Sequence, residues 1–337
     1  YDRALLSTAK KLRVISRYGV GYDQVDLEAA RELGIRVTIT PGANSDSVAD
    51  LAMALMLNAA RHVCHMDAVI RAGGHDKPVT GVEMWKKTLG VVGTGRIGKG
   101  VIQRASGFQM KVLANDAYPD PAFVEAHNGK YVDLDTLFRE SDFITLHAPL
   151  TEETRNMVDA RRLAEMKPRA VLVNTARGGI VDEDALYQAL KEGQIGAAAL
   201  DATVVEPACG SPLASLPNCI LTPHAGAATY EAGYNMADYF ADADTSSYIV
   251  LTGGSSAGNY MHLQRTIGVL EGLAEKEGLT YSEDVEKLAS SEKTTVVDAG
   301  KDDVSITICP GYMTDPKGIN NLKHAFVDRN YDAVLCT

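Results

Sequence analysis

The chain has 337 residues, 45% of them hydrophobic and 23% charged, and a formal net charge of −11; this is the make-up of a globular protein with room for two cores. The acidity is spread without any block of like charge, which argues against a nucleic-acid partner or an anionic membrane surface, and no apolar run reaches the length of a membrane span. The five cysteines are scattered and odd in number; with no signal-peptide pattern at the N-terminus they read as reduced thiols of a cytoplasmic protein.

In chain order, residues 12–16 form a short β-rich run that leads into Arg17-Tyr18-Gly19-Val20-Gly21-Tyr22-Asp23. A helical pattern over 27–33 stops at Gly34, and a strand follows at 35–39. Residues 47–63 predict a long helix rich in Ala, Leu and Met, apolar nearly all round and therefore buried on more than one side. His62, Cys64 and His65 near its end are ordinary helix residues, because Cys64 and His65 point apart on a helix and no second ligand pair follows. No metal site is expected.

The next segment is the most informative. An apolar run at 88–92 leads into Gly93-Thr94-Gly95-Arg96-Ile97-Gly98, a helical pattern starts near Ile97, and a second apolar run at 111–114 leads to Asp116. Strand, glycine turn, helix, strand and acid at these intervals make a dinucleotide-binding unit. Gly93 permits the turn, Gly95 lets backbone approach a pyrophosphate, and Gly98 lets helix and strand pack closely. The helix N-terminus offers N–H groups to the phosphates. Asp116 accepts bonds from the ribose hydroxyls and repels a 2′-phosphate, so the reading is NAD rather than NADP.

Further strands are expected at 143–146, 170–174, 197–200 and 219–221, with helices between them at 159–166, 183–192 and elsewhere. The alternation predicts an α/β fold with a doubly wound parallel sheet. These strands run out into His147, into Asn174 to Arg177, into Asp201 and into His224. Ligands of such sheets bind beyond the carboxyl ends of the strands, so these residues are expected to line one crevice. Beyond about residue 234 come a polar stretch at 242–247 and a Gly/Ser-rich connector at 252–258. Helices follow at 261–277 and 282–290, strands at 294–297 and 304–309, a helix near 319–326 and a strand at 333–336.

Five segments now carry a resemblance. The loop Arg17 to Leu27, the glycine motif, Leu172 to Asp182 around Arg177, the stretch Leu200 to Pro207 with Glu206, and Leu221-Thr222-Pro223-His224 resemble, in order, the D-isomer-specific 2-hydroxyacid dehydrogenases, a family that includes phosphoglycerate dehydrogenases. The likeness covers about residues 1–235. It implies a Rossmann nucleotide-binding domain with a smaller flavodoxin-like substrate domain, and hydride transfer between NAD(H) and a small D-2-hydroxy acid or 2-keto acid. Glycerate, hydroxypyruvate and 3-phosphoglycerate are candidate substrates. His224 is the expected acid/base, since histidine titrates near working pH. Glu206 orients its ring and stabilises its charged form. Arg177 holds the substrate carboxylate in a bidentate pair. Arg17, Gly19, Val20 and Gly21 complete the substrate site. Gly93, Gly95, Arg96, Ile97, Gly98, Asp116, His147, Pro149, Thr175, Ala176, Asp201 and Gly226 are the expected cofactor-binding residues; His147 belongs to that loop rather than to catalysis. The resemblance places the 47–63 helix at a twofold contact, implying a homodimer. The family also holds corepressor-like members, so an NAD(H)-sensing binding protein is the alternative function.

The family's substrate domain carries additional β-α units ahead of the strand that here begins near residue 12. Two arrangements account for this. In the preferred one, residues 294–337 supply the remainder of the substrate domain, as in a circularly permuted chain. The domains are then 1–43 and 294–337 for substrate, 44–235 for the dinucleotide and 236–293 for helices and connector. In the other, residues 248–337 form an appended regulatory module.

Overall fold

The computed structural model describes residues 1–10, 12–17, 19–22, 25–75, 80–241, 247–252, 260–291, 294–300, 304–310 and 333–336. The expected helix near 319–326 and the connector at 253–258 lie outside the described residues. The chain divides into two compact units: one is Val48–Gly226, and the other combines Tyr1–Ser47 with Ala227–Thr337.

In the contiguous unit, seven parallel strands are ordered Gly129–Tyr131, Lys111–Asn115, Thr88–Val92, Phe143–Leu146, Val171–Asn174, Ala197–Leu200 and Cys219–Leu221. Numbered within the unit, this is the doubly wound order 3-2-1-4-5-6-7. The central strands are buried at nearly every position because both faces are covered. Successive side chains enter opposite cores: Val171, Val173, Ala197 and Ala199 join one buried cluster, Leu172, Ala198 and Leu200 the other. The helices begin on aspartates that accept a backbone N–H three residues on. Asp133, Asp159 and Asp182 do so before Leu134–Glu140, Ala160–Glu165 and Glu183–Lys191. Each such cap contributes about 1 kcal/mol.

The long helix expected at 47–63 is two helices, Ser45–Arg61 and Val63–Arg71, broken at His62, whose φ of 54° is left-handed. Its apolar face packs Ala52, Met53, Met56 and Ala59 into the core. Asp50 and Leu57, two turns apart on the other face, are exposed.

The second unit holds a six-stranded sheet ordered Thr295–Val297, Ser305–Pro310, Ser247–Thr252, Ala333–Cys336, Val14–Arg17 and Arg36–Ile39. All pairs are parallel except the first, which is antiparallel. Ala333–Cys336 lies between Ser247–Thr252 and Val14–Arg17, with Ala333 opposite Val14 and Cys336 opposite Arg17. The strands expected in an appended module thus share a sheet with the first strands of the chain. Numbered from Ser247 to the C-terminal strand and onward from Val14, the parallel strands run 2-1-3-4-5, the flavodoxin-like order. The strand Ser247–Thr252 occupies part of what the composition marks as polar stretch and connector. Its Tyr248-Ile249-Val250-Leu251 core is short and flanked by polar and glycine-rich sequence.

Candidate active site

The glycine turn sits at the switch point of the seven-stranded sheet, where Thr88–Val92 neighbours both Lys111–Asn115 and Phe143–Leu146. Gly93 has φ +90°, and a Cβ there would lie 2.7 Å from the carbonyl carbon of His147. A Cβ on Gly98 would lie 2.0 Å from the Gly93 carbonyl oxygen. Gly95 differs: nothing of the protein comes within 4 Å of the Cβ it lacks. Gly95 also precedes the helix Arg96–Ser106 without any side-chain cap on its first amides. The opening at Gly95, together with those amides of Arg96 and Ile97, fits a dinucleotide pyrophosphate.

Asp116 is tied to this turn. Its Oδ2 accepts from the Thr94 amide at 2.5 Å and the Thr94 hydroxyl at 3.1 Å, and its Oδ1 accepts from the Tyr118 amide at 2.7 Å. Thr94 also meets the Tyr131 hydroxyl at 2.7 Å, and that hydroxyl accepts from the Asp120 amide. Thr94 and Tyr131 brace this candidate site, and the sequence reading missed them. Thr94 occupies the free position of the glycine motif, and Tyr131 lies on a three-residue strand without periodic signal.

His147 faces the Thr145 hydroxyl through Nε2 at 2.9 Å and the Thr175 hydroxyl through Nδ1 at 3.4 Å. Burial pushes its pKa down to about 3, which disfavours the protonated ring and makes it a poor acid. Pro149 is exposed, and its carbonyl accepts from the Thr154 hydroxyl. Asn174, almost fully buried, shapes the next turn: its Oδ1 accepts from the Ala176 amide and its Nδ2 donates to the Arg177 carbonyl. The Arg177 guanidinium donates back to the Ala176 carbonyl at 2.8 Å.

His224 and Glu206 meet at the edge of the same sheet. Nδ1 of His224 lies 3.0 Å from both carboxylate oxygens of Glu206. The two side chains are 45% and 40% exposed, open enough for a substrate to reach the ring. Partial burial pushes the Glu206 carboxyl up. The hydrogen bond and charge of His224, the Thr203 amide and the Arg177 guanidinium outweigh that and hold it below the ordinary carboxylate value. His224 itself has a left-handed φ of 56°. Asp201 braces this turn from beneath. Only 2% exposed, it accepts from the Thr222 hydroxyl at 2.6 Å, the Ala225 amide at 2.7 Å and the Gly226 amide at 2.8 Å.

Of the expected substrate loop, Arg17, Gly19, Val20 and Gly21 belong to the other unit; Tyr18, Asp23 and Gln24 lie outside the described residues. Within that unit, Arg17 Nε donates to the Gly21 carbonyl at 3.2 Å, and Val20 is exposed. Among the described residues no group of three metal-ligating side chains occurs, and no helix is long and apolar enough to cross a membrane. A cavity of about 340 Å³ beside His62 and Cys219 includes none of the candidate site residues.

The sequence profile for the D-isomer specific 2-hydroxyacid dehydrogenase, NAD binding domain, matches residues 53–226, more than half the chain and nearly the whole contiguous unit. The chain belongs to the D-isomer-specific 2-hydroxyacid dehydrogenases. Its relatives in that family include the glyoxylate reductase of Thermococcus litoralis, 46% identical over 248 residues, 71% of this chain and 75% of that protein. The hydroxypyruvate reductase of Thermotoga maritima is 46% identical over 233 residues, 68% of this chain and 75% of the relative. Among solved structures, the Aquifex aeolicus D-lactate dehydrogenase in complex with NAD and lactic acid superimposes with a TM-score of 0.62 at 32% identity, covering 71% of this chain and 77% of that one. This dehydrogenase therefore is an oxidoreductase of the NAD-binding Rossmann type.

Proposed function

We propose that this dehydrogenase reduces small 2-keto acids, glyoxylate and hydroxypyruvate above all, to their 2-hydroxy acids with NADH, and that it runs in reverse on D-2-hydroxy acids. The observation that carries the reading is the His224–Glu206 pair at the carboxyl edge of a dinucleotide-binding sheet. NADH supplies the hydride. His224 gives its proton to the carbonyl oxygen as the hydride arrives at the adjacent carbon, and takes it back in the reverse direction. Glu206 orients the imidazole through Nδ1, which leaves Nε2 for the substrate, and its negative charge offsets the positive ring. Arg177 pairs with the substrate carboxylate and polarises the carbonyl. The resemblance also gives the amides of Val20 and Gly21 a part in binding the carboxylate.

The test is NADH oxidation over glyoxylate, hydroxypyruvate, pyruvate and 3-phosphohydroxypyruvate. Turnover with glyoxylate and hydroxypyruvate and a loss of about a hundredfold or more in His224→Ala, with NADH binding intact, is the expected outcome. Saturable NADH binding without turnover on any member would overturn the reading in favour of a sensor.

The same reading includes a cytoplasmic homodimer. In support, the helix Val63–Arg71 buries none of its residues, and Val63 and Ile70, two turns apart on one face, are 47% and 65% exposed. A helix this short is marginal without a packed face, and exposed apolar groups close together mark a contact surface. Sedimentation as a monomer at micromolar concentration would refute the dimer. The free thiols of Cys64 and Cys209 are exposed, in keeping with a reducing compartment. Finally, the chain order is permuted relative to the family. The 2-1-3-4-5 sheet order counted from Ser247 supports this, since it makes the strands before Val14 those of residues 247–336.

A further inference from the structure

We infer that Thr40 is a positioning residue that sets which amides of the Gly19–Gly21 loop face a substrate carboxylate; the inference rests on the proposed 2-keto acid activity. Thr40 follows the strand Arg36–Ile39 and is fully buried. It grips Gly19 twice: its hydroxyl accepts from the Gly19 amide at 2.7 Å, and its own amide donates to the Gly19 carbonyl at 2.8 Å. A hydroxyl that accepts has one proton left to give, and it points between the carbonyls of Arg17 at 3.3 Å and Gly19 at 3.4 Å. The end of one strand is thereby stitched to the loop that leaves its neighbour, Val14–Arg17.

The consequence is a division of labour among the loop's amides. The Gly19 amide is committed to Thr40, whereas the Val20 and Gly21 amides have no acceptor among the described residues. The Arg17 guanidinium, bonded to the Gly21 carbonyl, closes the other side of the loop. Gly19 sits at φ +85°, and a Cβ there would come within 2.8 Å of the Asn44 side-chain nitrogen, so a side chain at this point is disfavoured. With Thr40 in place, Val20 and Gly21 present their N–H groups from a fixed backbone. Without its hydroxyl the Gly19 amide is buried without an acceptor and competes to turn outward.

Thr40→Val keeps shape and branching and removes only the hydroxyl. Its KM for glyoxylate is expected to rise about tenfold, the equivalent of one hydrogen bond to a charged group, with kcat within about threefold and the NADH Kd unchanged. Thr40→Ser, which restores the hydroxyl, should return KM to near the parent value. A folded Thr40→Val with parental KM, or a Thr40→Ser as impaired as Thr40→Val, would overturn the assignment. Amide hydrogen exchange on the unmodified protein gives a reading independent of variants and of turnover: Gly19 should exchange slowly, Val20 and Gly21 fast. Equal exchange at all three sinks the Thr40 proposal even if Thr40→Val fails to fold. Absence of turnover by the parent protein sinks the activity reading instead, and leaves the exchange result to decide Thr40.

Discussion

Replacing Asp201 with Asn removes one charge and almost no volume, and the hydrogen-bond geometry fixes what it must cost. One oxygen of Asp201 accepts from the Thr222 hydroxyl and the Ala225 amide, the other from the Gly226 amide. An Asn amide placed with its NH2 toward Gly226 sets two donors face to face across the 2.8 Å contact. Flipped, the Thr222 hydroxyl can rotate to accept, but the Ala225 N–H then faces the NH2 across 2.7 Å. Either way one buried amide loses a charge-assisted partner, at about 3 kcal/mol. For a unit of this size that is a fall in Tm of roughly 6–12 °C. The same turn holds His224 at its left-handed φ, a conformation that costs about 1–3 kcal/mol and persists only while its surroundings enforce it. Once it relaxes, the ring leaves Glu206, and kcat should fall by about a hundredfold. Differential scanning calorimetry and steady-state kinetics on Asp201→Asn measure both. A Tm within about 2 °C of the parent with kcat unchanged would refute the bracing role. A rise in NADH Kd that outweighs the loss in kcat would show that Asp201 acts on the cofactor directly.

Gly95 and Gly98 should separate in a way that residue type alone does not foretell. Gly98→Ala drives a Cβ against the Gly93 carbonyl and should lower stability and NADH binding together, whereas Gly95→Ala meets no protein atom and should keep the parental Tm while weakening NADH binding about tenfold or more; equal melting losses in both would contradict this. Asp116→Ala should raise kcat/KM with NADPH relative to NADH, and parental discrimination in that variant would remove Asp116 from cofactor choice. Glu206 has a depressed folded-state pKa, so its stabilising contribution is present above the ordinary carboxylate range and is lost as the pH falls through the lower folded value. The gap in chemical-denaturation midpoint between parent and Glu206→Gln should therefore close on acidification from pH 7 towards pH 3; a constant gap would show that the carboxylate's charge is not involved.

The nucleotide-binding unit was legible because its signals are local. Phe143–Leu146, Ala197–Leu200 and Cys219–Leu221 are apolar runs between turns, and strands between two helical layers need no alternation to be recognised. The glycine motif is equally local, since the Gly93 turn and the Gly98 contact depend on residues a few positions apart or on the next strand. The break at His62 was not legible: neither glycine nor proline marks it, and a left-handed histidine is stabilised by what surrounds it rather than by its neighbours in sequence. The His224–Glu206 pairing came from resemblance, and the side chains do meet. Asp201, read as a cofactor contact, bonds the Thr222–Gly226 turn through its carboxylate, a bracing role the residues did not signal, and Thr40 carried no signal at all. Both act on backbone groups about 20 residues away or more, a relation that only tertiary structure creates.

The placement of Ala333–Cys336 between Ser247–Thr252 and Val14–Arg17 bears on how the protein is made. Val14 and Ala333 are neighbours in space and more than three hundred residues apart in the chain. Until that late strand emerges from the ribosome, Val14–Arg17 lacks one of its two sheet neighbours and that edge stays open. The contiguous Val48–Gly226 unit is complete long before then and is free to fold during synthesis. The nascent chain thus carries a finished nucleotide-binding unit after a strand pair that still has an open sheet edge. Closing that edge across so long a loop makes the last docking step slow and of high contact order. It is at this stage, rather than in the folded state, that the protein is most exposed to edge-to-edge aggregation and most dependent on chaperone capture.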